Sequence, residues 1–278
     1  MSTWKIAGVQ MDCRLADKAA NLAAIRARIA DAAKRGARLV IFPECALTGY
    51  GFESLAEAAP HAEPLPGPMT AALAEDCRRL NVFAAVGMLE SAGPSRVFNA
   101  CALVGPNGFV AGYRKAHLPF LGVDRFTTPG DRAFAVHDLG GLKVGMTICY
   151  DGSFPEASRV LMLLGADLII LPTNWPTGAV TTVCHLVQAR ALENHLYYAA
   201  INRVGEERGF RFIGQSRIVA PNAELLATGS EHGEEIIVAE IDPAVARNKH
   251  IVKVPGKYEL DRMADRRPDL YGPLCGGK

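Results

Sequence analysis

No Cys-x-x-Cys pair occurs in this chain, although it carries seven cysteines, at 13, 45, 77, 101, 149, 184 and 275. An odd number at wide spacing suits neither a disulfide framework nor a zinc knuckle. Unpaired thiols fit a reducing compartment, so the expected location is the cytoplasm. No apolar run approaches the roughly 18 residues that span a bilayer. Met1 to Asp12 lack the cationic start and apolar stretch of a secretory signal. Gly140, Gly141 and Gly145 make neither a Gly-x-Gly-x-x-Gly nor a Walker pattern, which excludes a nucleotide site. No His-x-x-x-His or carboxylate pair has metal-ligand spacing, and neither metal nor organic cofactor is expected. Charge of one sign is also missing: 30 Lys and Arg face 29 Asp and Glu, for a net charge of +1. Nucleic acid and anionic membranes both demand a concentrated basic face, so neither is an expected partner. The densest cationic stretch, Arg262 to Arg267, is interleaved with Asp261, Asp265 and Asp269 and reads as a self-compensating solvated tail.

What is present is an ordinary globular composition, 49% hydrophobic and 21% charged over 278 residues. That length fits one large α/β domain or two ordinary ones. The first strand is expected over residues 4–12. A helix follows over 17–35, capped by Asp17, striped by Leu22, Ile25 and Ile29 and stopped by Gly36. A buried strand at 37–42 precedes a helix at 68–80, then strands at 82–89, 97–104 and 109–114, the last two joined by Gly105-Pro106-Asn107-Gly108. The second half alternates again. Strands are expected at 142–148, 167–171, 197–202, 212–220 and 235–241. Helices are expected at 155–165 and 179–195, and the segment from 243 is helical at first and then irregular. Alternating strands and helices with hairpins point to mixed sheets covered by helices. No Gly-, Pro- or Ser-rich linker divides the chain, so a single domain is expected, with two halves that are candidate pseudo-repeats.

Three strand-like runs end on a residue that can do chemistry. Residues 37–43 lead into Glu44, residues 108–114 into Lys115, and residues 142–148 into Cys149. Ligands of open α/β sheets bind just beyond the carboxyl ends of strands. Gathered there, the carboxylate would take the thiol proton, the thiolate would attack, and the ammonium would hold the developing oxyanion.

Each residue has a plainer alternative. A cysteine in an apolar strand is commonly a small buried hydrophobe. A Glu or Lys at a strand end is commonly solvated. Context favours chemistry for Cys149, because Tyr150-Asp151-Gly152-Ser153-Phe154-Pro155 carries the chain through a tight turn into a helix. Such a turn exposes the thiol to backbone N–H groups and a helix N-terminus that lower its pKa. Glu44 lies between Phe42-Pro43 and the apolar stretch 45–50, where partial burial raises a carboxylate pKa and makes it a better base. His117 rivals this arrangement, since Cys–His is the commoner thiol pair. Cys45 reads as a lining residue, and His185 and His195 as structural.

The pieces KIAGVQMD, VIFPECALTGY, GYRKAHLPF, TICYDGSFPE, LPTNWP, QARALENHLYYAAINRVG and ADRRPDLY occur in this order. In these the chain resembles the nitrilase, or carbon–nitrogen hydrolase, superfamily along nearly its whole length. The resemblance implies a four-layer α-β-β-α sandwich with two mixed sheets, one domain over 1–278, and a C-terminal extension from about 250. It implies Glu44 as general base, Lys115 as oxyanion stabiliser and Cys149 as nucleophile, with the Tyr150 amide completing the oxyanion hole. Family members often carry a second Glu soon after the lysine. This chain has none there, and Asp124 is the candidate for the role. It also implies self-association as a homodimer or higher homo-oligomer.

Tyr150-Asp151 after the thiol, with Phe154-Pro155-Glu156 beyond, is similar to the amidase and carbamoylase branches, whereas true nitrilases usually place Trp-Glu there. The favoured expectation is therefore an amidohydrolase releasing ammonia or an amine from a small linear amide or N-carbamoyl compound. A nitrilase and a non-catalytic binding protein are the competing readings. Specificity is expected in loops 46–56, 118–128 and 173–180. There Phe120 and Trp175 would wall an apolar pocket, and Arg125 or Asn174 would read a polar end; plain packing is the alternative for the aromatics.

Overall fold

The computed structural model describes residues 3–93, 96–274 and Gly276, so Cys275 lies outside the described residues. In chain order the first half comprises β1 (Trp4–Gln10), α1 (Lys18–Lys34), β2 (Leu39–Ile41), α2 (Leu55–Ala58), α3 (Pro68–Leu80), β3 (Phe83–Ser91), β4 (Val97–Gly105) and β5 (Gly108–Arg114). The second half comprises β6 (Val136–Asp138), β7 (Lys143–Met146), α4 (Pro155–Leu163), β8 (Leu168–Thr173), α5 (Val187–Asn194), β9 (Tyr197–Asn202), β10 (Glu206–Glu207), β11 (Phe210–Arg211), β12 (Arg217–Val219), β13 (Leu225–Thr228) and β14 (Glu235–Ile241). The tail adds α6 (Pro243–Arg247), β15 (His250–Val254) and β16 (Tyr258–Asp261).

Two six-stranded mixed sheets form, ordered β14-β1-β2-β3-β4-β5 and β13-β12-β9-β8-β7-β6. Within each, the central strands run parallel and the flanking ones antiparallel. The strands of the first sheet are apolar on both faces, and the period of two sorts their side chains. Ile6, Leu39 and Ile41 join the core shared with the second sheet, whereas Ala7, Val9 and Val40 pack outward with Ile25 and Ile29 of α1 and Leu73 and Cys77 of α3. On the far side Leu161, Met162, Val187 and Ala191 of α4 and α5 close the shared core. The layers are therefore α-β-β-α, as expected. A fully buried Leu or Ile contributes about 1.5–3 kcal/mol, so these two clusters dominate the favourable terms. Gly8 marks the closest approach of the sheets, since a Cβ there would lie 2.2 Å from Ile201 Cδ1.

Local signals behave as their chemistry dictates. Asp17 caps α1 by accepting from Ala20 N–H at 3.0 Å, and Gly36 follows the helix at φ +83. Three expectations fail. The helix expected over 179–195 is broken: a 3₁₀ turn at Thr177–Ala179 and a π turn at Thr182–Leu186 precede the short α5. The run Val180-Thr181-Thr182-Val183 is β-branched, which costs rotamer freedom in a helix, and no side chain caps its start. The strand expected over 212–220 shrinks to Arg217–Val219, because Gly214 and Gln215 both adopt left-handed φ, +55 and +54. The tail is not irregular after α6: β15 and β16 pair as a hairpin around Gly256 at φ +67. No helix among the described residues is long and apolar enough to cross a membrane.

Candidate active site

Glu44 leaves β2 through Phe42-Pro43 and is fully buried. The following residue, Cys45, takes a left-handed φ of +49, turning the chain sharply beneath β3. That turn depends on Gly87, where a Cβ would stand 2.3 Å from Pro43 O and 2.7 Å from Glu44 Cα. Glu44 Oε1 accepts from Lys115 Nζ at 2.7 Å and from Asn99 Nδ2 at 2.7 Å. Its other oxygen, Oε2, is buried with no partner among the described residues.

Lys115 follows β5 and is also fully buried. Its N–H donates to Asn99 O and its carbonyl accepts from Gly130 N–H, both at 2.8 Å, which fixes the backbone on both sides. Nζ donates to Glu44 and, at 2.5 Å, to Asp124 Oδ2. Asp124 thus lies against the lysine, carried on a 3₁₀ turn at Gly122–Arg125. Its Oδ2 also accepts the Tyr50 hydroxyl at 2.8 Å, and its Oδ1 accepts Asn99 Nδ2 at 2.8 Å. Both Asp124 oxygens accept hydrogen bonds, three in all, so it braces the lysine. Burial disfavours an ammonium, but the Glu44 and Asp124 carboxylates outweigh it and hold Lys115 well above its ordinary range. For Glu44, burial pushes the carboxyl pKa upward, and Lys115 and Asn99 only partly oppose it.

Cys149 opens a 3₁₀ turn at Cys149–Ser153 with a left-handed φ of +45. For a residue other than glycine such a conformation costs on the order of 1–3 kcal/mol and is held by its surroundings. The expected exposed, acidified thiol is not what forms. Cys149 is 7% exposed, and its pKa is pushed up to about 12 by burial first and then by Glu44. Lys115, the Thr173 hydroxyl and the Asn174 backbone only partly offset this. A thiol that is neutral at physiological pH needs a base at the moment of attack.

The candidate specificity residues separate. Trp175 is buried in the same apolar cluster as Cys149, and its backbone N–H donates to Asn202 Oδ1 at 2.8 Å. Asn174 is fully buried, and neither side-chain amide atom has a partner among the described residues. Phe120 walls no apolar pocket in the monomer, for it is 90% exposed. A Leu121 N–H to Pro119 O bond at 2.9 Å closes a turn that leaves Phe120 at its apex. Arg125 donates to Gly122 O at 3.0 Å and Phe52 O at 3.3 Å, stapling two loops beside a cavity of about 270 Å³ that Phe120 and Arg208 also line. Tyr150, next to the nucleophile, is partly exposed and packs edge-on to Phe154. The rival His117 faces Asp151, with Nδ1 2.7 Å from Oδ1. Among the described residues no group of three or more His, Cys, Asp or Glu is arranged to hold a metal.

Sequence reasoning passed over Asn99 and Tyr113, left Tyr50 and Thr173 unnamed within the loops 46–56 and 173–180, and read Asp151 only as part of the turn after the thiol. Asn99 alone had a usable signal: a polar side chain inside the buried run Val97–Gly105 must find a partner.

The model of the carbon–nitrogen hydrolase family matches residues 5–250. A protein of Pyrococcus abyssi named nitrilase is 41% identical over 268 residues, covering 96% of this chain and 98% of its own. An (R)-stereoselective amidase of Pseudomonas sp. is 35% identical, covering 96% of this chain and 93% of its own. An omega-amidase of Xenopus laevis is 32% identical, covering 87% and 88%. Among solved structures, a double mutant of the amidase from Nesterenkonia sp. AN1 in complex with acrylamide superposes with a TM-score of 0.82 at 24% identity, covering 99% of this chain and 98% of that one. At that identity the likeness speaks for the fold.

Proposed function

The chain belongs to the carbon–nitrogen hydrolase family, and from that premise we propose that it is a cysteine amidohydrolase acting on a small linear amide or N-carbamoyl compound. The observation that carries this reading is the vacant, buried Oε2 of Glu44 in a charge cluster that acts on a buried, protonated thiol. Glu44 takes the Cys149 proton as sulfur attacks the carbonyl carbon. The oxyanion is held by Lys115 Nζ and the Tyr150 amide. Glu44 then returns the proton to the departing nitrogen, so ammonia or an amine leaves and a thioester remains. Water, deprotonated by the same carboxylate, cleaves the thioester and restores the thiol. These steps ask nothing of a metal or an organic cofactor. Trp175 and Asn174 belong to the pocket wall in this reading.

The test is ammonia or amine release from a panel of linear amides and carbamoyl compounds, with Cys149→Ala as the control. Equal release by the wild type and Cys149→Ala would remove the proposal. A nitrilase is the second reading, favoured by the 41% identical relative of that name. Faster hydrolysis of nitriles than of their matched amides would decide for it. The relatives named amidase and omega-amidase support the first.

Two further parts of the reading rest on supporting features. Val160 and Leu163 of α4, Leu164 just beyond it and Leu192 of α5 are exposed apolar side chains on one outer layer, which supports self-association as a homodimer or larger assembly. A monomer mass by sedimentation at micromolar concentration counts against it. Six free cysteines among the described residues support a reducing, cytoplasmic setting. The family match ending at 250 supports one domain followed by an extension.

A further inference from the structure

The candidate catalytic residues come from two sheets. Glu44 and Lys115 follow strands of the first sheet, Cys149 a strand of the second. Apolar packing between sheets is non-directional and does not by itself fix an ammonium relative to a sulfur. One buried carboxylate outside the trio does offer directional contacts there. Asp151 is fully buried. Its Oδ2 accepts the Tyr113 hydroxyl at 2.7 Å and the Ile148 N–H at 2.9 Å. Its Oδ1 accepts the His117 N–H at 3.0 Å and lies 2.7 Å from His117 Nδ1.

The positions of these partners matter. Tyr113 and His117 stand two residues before and two residues after Lys115, and Ile148 immediately precedes Cys149. Asp151 therefore grips the lysine segment on both sides and the nucleophile turn from within. The grip is itself supported. Tyr113 is buried and stacks on Phe134 at 6.0 Å, and the His117 ring lies flat on Phe154 at 3.8 Å with an interplanar angle of 12°. The Tyr113 hydroxyl also accepts the Ala116 N–H at 3.3 Å, tightening the turn around Lys115. A buried carboxylate is costly unless its lone pairs are used, and here three donor groups and the His117 ring nitrogen, from two segments of the chain, converge on it.

We propose that Asp151 is a positioning residue that sets Lys115 against Cys149 across the junction of the two sheets, so that the ammonium meets the oxyanion where it forms. The proposal rests on the amidohydrolase reading for its kinetic consequence, but its geometric content stands apart from that reading. A misplacement of about 1 Å can cost about 100-fold in rate. Asp151→Asn should lower kcat on the best amide by about 10- to 100-fold while KM stays within about threefold. Alkylation of Cys149 by iodoacetamide develops no oxyanion at carbonyl carbon, so its rate should change by less than about threefold. Tyr113→Phe, which removes one contact, should lower kcat by about 3- to 10-fold, and the double variant should be no slower than Asp151→Asn alone.

Rates are expressed per titrated thiol. A lower melting temperature with unchanged kcat would show a purely structural carboxylate and overturn the proposal. Alkylation falling in parallel with kcat would also overturn it, because the turn itself would then have lost its shape. If Asp151→Asn does not fold, Tyr113→Phe decides alone. If the wild type hydrolyses no amide, the function reading fails, and a crystal structure of Asp151→Asn decides this one. Lys115 Nζ displaced from Cys149 Sγ by about 1 Å supports it, and an unmoved lysine overturns it.

Discussion

The two halves of the site are built on opposite plans. On the first-sheet side Glu44, Lys115, Asp124 and Asn99 are all buried and interlinked, with Tyr50 closing the far end. On the second-sheet side Cys149 sits on a strained turn beside Thr173, and Asn174 there carries a side-chain amide with no partner. One half links its charges within the protein and leaves a single carboxylate oxygen, Glu44 Oε2, vacant; the other keeps neutral polar groups vacant. Preorganised charge needs no rearrangement when an oxyanion forms, which is where electrostatic catalysis gains most. Vacant polar groups on the opposite side are what an incoming substrate and water would fill. The division teaches that stability and turnover should respond to different residues.

The largest expected effect breaks the open half. Cys149→Ala should lower ammonia release by at least about 10⁴-fold while leaving the melting temperature within about 2 °C, since a small thiol is replaced by a smaller apolar group. Loss of folding in this variant would contradict the idea that the open half contributes little to stability. The closed half should behave in reverse. Lys115→Met leaves two buried carboxylates facing each other, a defect worth about 3–5 kcal/mol. Calorimetry should find its melting temperature lower by about 10 °C at neutral pH, with part of the loss recovered in acid as Glu44 protonates. A Lys115→Met protein as stable as the wild type would erase the distinction between the halves.

Much of the closed half was legible in the sequence because its two charged members end apolar strands. Glu44 follows a run that reads as buried, and a charge in such a place needs a partner, whereas Lys115, commonly solvated at a strand end, was singled out by the resemblance. Asp124 could be named but not placed, because its position depends on the 3₁₀ turn at Gly122–Arg125, and Gly122 has no room for a Cβ against the Tyr50 ring, 2.3 Å away. Tyr50 fell inside an expected specificity loop and Asn99 inside a buried run, but nothing local to either points toward a lysine distant in the chain. The open half was legible as a turn but misread in its electrostatics. The helix start after Cys149 suggested an acidified thiol, yet the sheets close over it, and desolvation outweighs the turn. In the fold, strand positions followed hydrophobic runs, whereas the break in the helix near residue 182 and the tail hairpin came from β-branched crowding and a glycine turn that periodicity does not weigh.

The electrostatic difference gives the next test. Cys13, Cys77, Cys101 and Cys149 each have a pKa raised to about 12 from 9.0, chiefly by burial. A raised folded-state pKa means that the unfolded chain loses its protons first. The associated stability is complete below pH 9 and drains away between pH 9 and 12, so chemical denaturation midpoints should fall across that window. Midpoints flat to pH 12 would contradict these burials. Glu44 sharpens the same point from the acid side. Burial raises its carboxyl above the ordinary 4.5, so the acid limb of kcat/KM should lie above that pH and vanish as a Glu44 signature in Glu44→Gln. Because the thiol does not ionise by itself near neutrality, Glu44→Gln should also slow alkylation of Cys149 by about 10²-fold. Alkylation that ignores Glu44 would mean the thiolate forms without it.

The smallest effect is the most specific to the comparison. The buried Thr173 hydroxyl favours the thiolate of Cys149 and has no hydrogen-bond partner among the described residues. Thr173→Val removes that hydroxyl with little change in shape. If the open half is held by packing alone, stability should change by less than about 1.5 kcal/mol. The hydroxyl lowers the thiol pKa, so its removal should raise it further and slow acylation by a few-fold, roughly what one neutral hydrogen bond contributes. KM should hardly move, because no substrate contact is lost in this reading. A rise in KM with unchanged kcat would instead make Thr173 a ligand for the substrate, and would move the boundary between the prepaid half of the site and the half left open by one residue.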